Sequence, residues 1–190
     1  MKYFFFLPLI IFTTPAFAQV TVTVKWADRM PGSDTIYYNP DSKLNWKDFK
    51  GKEPAPSEAL AVTASGFGYH AAIQCRGEET NITLTVYCYF NKQSSWVRKG
   101  RESNYALTHE QHHFDVTYIA TQKFIEKLQA AIFTRKNYNK VIDKIYNETC
   151  DELDKMQDDY DGQTKNGRLA DVQYKWNEKI DRQLYLMASK

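Results

Sequence analysis

Three of the four histidines in this chain stand together, in the string His109-Glu110-Gln111-His112-His113. On a helix, residues four apart lie about 40° from each other, so His109 and His113 can direct both imidazoles at a single ion. Glu110 follows the first imidazole. There its carboxylate lies beside the ion rather than on it, placed to take a proton from an activated water and pass it to a leaving amine. This is the H-E-x-x-H pattern of zinc hydrolases. Such short strings also arise by chance on solvated helix faces, but a solvated face rarely gathers histidine in this way.

The pattern needs a helix to carry it. Counting 100° per residue from His109, Leu107, Phe114, Tyr118, Ile125, Leu128 and Ile132 form an apolar stripe roughly opposite the two histidines. A helix over residues 103 to 132 therefore has one side for a core and another for a cleft. Asp115 falls about 200° around the helix from His113 and cannot share its ion. His112 also points away, and is expected to face solvent or substrate.

Two histidines leave an ion short of protein donors, so a third ligand is expected elsewhere. Asp161 is the first candidate, in a polar loop, 161 to 167, able to fold back over the histidine helix; an aspartate there also suits a turn or helix cap. His70 is the second, on a strand among tyrosines, where an ordinary half-exposed histidine fits as well. Tyr160, ending the second helix, suits either a hydrogen bond to the oxyanion of a tetrahedral intermediate or simple packing.

The remaining sequence bounds where and how such a site is built. Lys2, an apolar run from Tyr3 to Phe12 and Ala16-Phe17-Ala18 read as a signal peptide over 1 to 18, leaving one domain over 19 to 190. The apolar run is short for a membrane span, and no Cys follows it to carry a lipid. Export to a periplasm or the outside is expected, with no membrane anchor after cleavage. Lys and Arg total 25 against 23 Asp and Glu, scattered along the chain, which argues against nucleic acid or an anionic membrane as partner.

Cys75, Cys88 and Cys150 permit one internal disulfide. Cys75 and Cys88 fall out of register on one strand pair, so a bridge from either to Cys150 is as open as one between them. Two of the three also read as buried small hydrophobes. No cysteine lies near the histidines in sequence, which argues against a thiol nucleophile.

Val and Thr alternate from Gln19 to Lys25 as in a strand, and a turn-rich connector over 26 to 59 holds a short ordered unit anchored by Trp46 and Phe49. Ala61 to Cys75 and Asn81 to Phe90 predict a hairpin, with Ile82, Leu84, Val86, Cys88 and Phe90 on its core face. Helices follow at 103 to 132, 137 to 160 and 168 to 187. Strands first and helices after is an α+β layout, an antiparallel sheet covered on one side by three helices.

Leu44-Asn45-Trp46-Lys47-Asp48-Phe49-Lys50-Gly51, Ser95-Trp96-Val97, Leu107 to Asp115, Tyr160-Asp161 with Thr164, and Gln173 with Trp176 together resemble a bacterial family. Its members are domains of unknown function described as predicted secreted zinc-dependent proteases. The resemblance implies a zincin-like peptidase: zinc as cofactor, a peptide or protein as substrate, and His109, Glu110 and His113 at the centre. The family pattern carries a histidine where this chain has Asn166, and an amide is a poor zinc ligand. An alternative is therefore a non-catalytic secreted domain of the same fold, with a degenerate metal site, acting as a binding module through its aromatic surface.

Overall fold

The computed structural model describes residues 20–29, 34–54, 57 and 59–189. The expected signal peptide lies outside them. No helix of the described residues is long and apolar enough to cross a membrane.

The fold is α+β: a strand-rich first half, then three helices. Strand β5 (Glu79–Asn91) is the spine of the main sheet. Its sequence alternates so that Thr80, Ile82, Leu84, Val86, Cys88 and Phe90 all point inward, each essentially without exposed surface. β4 (Ser65–Arg76) pairs with it antiparallel through a tight turn, with Arg76 opposite Glu79 and Gly77 at φ +57. Phe67 therefore faces Cys88, and Cys75 faces Thr80, so the two cysteines are out of register as expected. All three cysteines are free thiols.

The other edge of β5 is shared. β1 (Val20–Trp26) runs parallel to its first half and β2 (Thr35–Tyr37) antiparallel to its end. The sheet is therefore mixed rather than antiparallel. Val/Thr alternation is the same for both directions, and a parallel pair needs the long crossover that residues 27 to 78 provide. β3 (Ala61–Val62) does not continue into β4. It pairs with β6 (Trp96–Val97) as a separate two-stranded ribbon.

Helix α1 (Asn104–Ala130) begins at Ser103, whose Oγ accepts the Ala106 amide at 3.1 Å. It lies between the sheet and the other two helices, α2 (Tyr138–Thr164) and α3 (Ala170–Ala188). Val116, Ile119, Ala120, Phe124 and Leu128 join Ile82, Leu84 and Val86 below and Ile142, Leu153, Tyr160, Trp176 and Ile180 above in one core. Phe114 turns to a second cluster with Tyr38, Leu44, Phe49, Cys88 and Phe90. The expected one-sided stripe is thus too narrow: a helix covered on both faces buries residues all around. Ile132 does not belong to it, because α1 ends at Ala130 and Ile132 is 84% exposed.

Candidate metal centre

α2 continues four residues beyond its expected end, through Gly162, and closes at Lys165 with a left-handed backbone, φ 54. The amides of Lys165 and Asn166 both cap the Asp161 carbonyl, while Thr164 Oγ1 accepts the Gly167 amide. Gly and polar residues make this stretch read as a loop, but packing of Tyr160 and Thr164 into the core holds it helical. Asp161 therefore stands on the last turn of α2, and not in a loop. Its side chain faces α1.

There it meets both histidines. Asp161 Oδ1 lies 3.0 Å from Nε2 of His109 and 3.0 Å from Nε2 of His113, and the two Nε2 atoms are 3.1 Å apart. His109, His113 and Asp161 form a group that can hold a metal ion, with one ligand atom from each within 4.8 Å of the others. Two imidazole nitrogens and a carboxylate oxygen are donors of the kind a borderline cation takes. The imidazoles are 7% and 12% exposed and Asp161 41%, so the group is backed by protein and open on one side.

The electrostatics fit a centre that gathers positive charge. Burial alone would push the Asp161 carboxyl up, but hydrogen bonds from His109 and His113 outweigh it and hold the carboxyl well below its usual range. Burial alone would push His113 down, but Asp161, with Glu110 and Gln157 adding to it, holds it above the ordinary imidazole value.

The open side is a cavity of about 770 Å³ whose wall includes His109, Glu110, His113, Asp161, Thr63 and Arg168. Glu110 is buried, and Thr63 Oγ1 lies 2.7 Å from its Oε2 and 3.1 Å from its carbonyl. Thr63 directly follows β3. Its neighbour Ala64 donates to Ser95 Oγ at 2.9 Å, just before β6, so the small ribbon sets the position of Glu110.

His70 is not part of the centre. It is exposed on β4 and stacks on Tyr87 with ring centroids 5.6 Å apart. Asn166 lines the cavity in a left-handed conformation, φ 51. His112 is buried rather than solvent-facing, with Nε2 at 3.3 Å from Asp181, because α3 covers that side of α1. Asp115, on the opposite side, accepts from Tyr38 and Gln111 at 2.9 Å each.

Tyr160 has no exposed surface. Its ring stacks on His109 with centroids 4.7 Å apart, and its hydroxyl accepts from Gln173 Nε2. It is absent from the cavity wall, so the oxyanion role does not suit it. What the ring does is support an imidazole.

No known protein-family model, curated protein or solved structure matches this chain. The reading of the centre rests on its donors and their geometry.

Two residues that touch the candidate site carry little local signal in the sequence. Thr63 is one threonine among many, and Gln157, whose Oε1 is 2.5 Å from His113 Nδ1, sits in an ordinary polar heptad of α2. Gln157 is one turn before Asp161, and that spacing from a carboxylate candidate is the only clue to it.

Proposed function

We propose that this chain is a zinc-dependent hydrolase of peptide bonds, acting after export from the cytoplasm. The observation that carries the reading is one carboxylate oxygen, Asp161 Oδ1, at 3.0 Å from both imidazoles of an H-E-x-x-H helix. That helix also sets Glu110 on the wall of the same cavity. His109, His113 and Asp161 would hold the ion. Bound zinc supplies Lewis acidity, polarising a carbonyl oxygen and lowering the pKa of water to about 7.

Glu110 supplies what the ion lacks. As general base it accepts the proton of the attacking water, and as general acid it delivers that proton to the departing amine. Thr63 fixes Oε2 and so orients the carboxylate. The buried position of Glu110 excludes bulk water, which would otherwise compete for the proton. A cavity of about 770 Å³ accommodates several peptide residues.

Asp161 also removes the need for a ligand at Asn166, the departure that favours a degenerate, non-catalytic centre. Zinc rather than another borderline cation suits a two-imidazole, one-carboxylate set with an open position. Incubating the zinc-loaded chain with a mixture of unstructured peptides tests the reading. Cleavage that stops in Glu110→Gln while zinc is retained supports it, and equal turnover in that variant contradicts it.

A further inference from the structure

The second nitrogen of each candidate ligand meets a carboxamide. His113 Nδ1 is 2.5 Å from Gln157 Oε1, and His109 Nδ1 is 2.8 Å from Gln173 Oε1. A neutral imidazole carries one N–H and offers its lone pair from the other nitrogen. The direction of these two hydrogen bonds therefore decides whether Nε2, the nitrogen beside Asp161, is available to a cation.

For Gln157 the direction follows from a fixed point. The far end of its amide lies 2.9 Å from the backbone carbonyl of His113 and 3.2 Å from Thr117 Oγ1. A carbonyl only accepts, so that end is the NH₂ and Oε1 is the end facing the ring. His113 Nδ1 must then be the N–H, which leaves Nε2 as the nitrogen a cation can take from the neutral ring. The residue that supplies the lone pair thus orients its own tautomer through its own backbone.

Gln173 repeats the arrangement from α3. Its side chain is fully buried, and its NH₂ is taken up by the Tyr160 hydroxyl and by Asn177 Oδ1 at 2.8 Å. Oε1 again faces the ring. The burial of Tyr160, unexplained by a role in the cavity, follows: its hydroxyl occupies one of the two amide hydrogens.

We propose that Gln157 and Gln173 are positioning residues: by accepting from Nδ1–H of His113 and His109 they fix both rings and leave each Nε2 to a cation shared with Asp161. The proposal rests on the function proposed above and concerns the cation-bound centre, because without a cation Asp161 Oδ1, 3.0 Å from each Nε2, accepts a proton held there. Both partners are neutral. They orient the rings without adding negative charge, leaving Asp161 as the only anionic member of the ligand group.

Long-range proton–nitrogen correlation spectra of the ¹⁵N-labelled full chain loaded with zinc test this directly. Both His109 and His113 should show a protonated Nδ1 and an Nε2 without a proton. Gln157→Met keeps the length and loses the acceptor, and its His113 ring should no longer hold one fixed tautomer. Its zinc dissociation constant should rise roughly 10–100-fold, the usual cost of an outer-shell partner.

A wild-type His113 protonated on Nε2 would overturn the proposal, as would a Gln157→Met variant with unchanged tautomer and zinc affinity. If that variant does not fold, the wild-type spectrum still decides. A chain that binds no zinc would sink the metal reading itself, whereas zinc-binding wild type beside an unchanged Gln157→Met would sink the positioning role alone.

Discussion

Thr63 Oγ1 stands 2.7 Å from Glu110 Oε2, tying the candidate general base to a two-stranded ribbon that forms a sheet of its own. The contact crosses 47 residues of sequence and concerns orientation only, since neither atom belongs to the ligand group. Thr63→Val keeps the shape and removes the donor. Zinc content should be unchanged while turnover falls roughly 10-fold, a part of the ~10²–10⁴-fold that general acid–base catalysis supplies. Zinc analysis beside initial rates checks this; loss of metal in the variant would show that Thr63 supports the ligands instead.

Asp161 is the third donor, so its removal should cost at least as much as losing an outer-shell partner, roughly 10–100-fold in zinc affinity. Competition with a chelating dye measures it in Asp161→Ala. An affinity equal to wild type would mean that the ion is held without α2.

Gly167 is left-handed at φ +74, and a Cβ there would stand 3.4 Å from His109 Nδ1. Gly167→Ala should cost about 1–2 kcal/mol in denaturant unfolding from the backbone alone. The methyl would meet the His109 ring only at ordinary van der Waals distance, so zinc affinity should stay close to wild type, and a large drop would contradict this. A stability loss with unchanged zinc binding would confine the effect to the backbone.

The metal-free centre has its own pH dependence. His113 is held above its ordinary value of 6.5, so its contribution is present below that value and is lost as pH rises through the raised pKa. Asp161 is held below 3.8, so its contribution is present above that value and is lost only as pH falls through the lowered pKa. Together they stabilise the metal-free form most between about pH 4 and pH 6.5. Zinc competes with protons for the same atoms and stabilises the chain more as pH rises. The difference in Tm between zinc-loaded and metal-free protein should therefore widen from pH 6 to pH 8, as thermal scans at each pH will show; a constant gap would mean that no proton leaves when the ion binds.

Period-2 and period-3.6 patterns made the hairpin core of β5 and the three helices legible, because each is a local property of the chain. The His109-Glu110-His113 triplet was legible for the same reason. Partners across the fold were not. Alternating Val and Thr in β1 do not say whether β5 runs parallel or antiparallel to them. The polar, Gly-containing end of α2 reads as a loop until Tyr160 and Thr164 are seen buried, which is what puts Asp161 on a helix. His112 read as facing solvent or substrate, and the role of Tyr160 stayed open between an oxyanion contact and packing, because the covering by α3 is tertiary. Thr63 gave no signal and Gln157 only its place one turn before Asp161, since a lone amide or hydroxyl acquires its role only from what folding brings beside it.

Zinc per mole of purified chain, measured beside the His109→Ala/His113→Ala double variant, tests the central claim most directly. The account predicts close to one zinc in the wild type and none in the variant. Wild-type zinc no higher than the variant's, even after reconstitution, would contradict it.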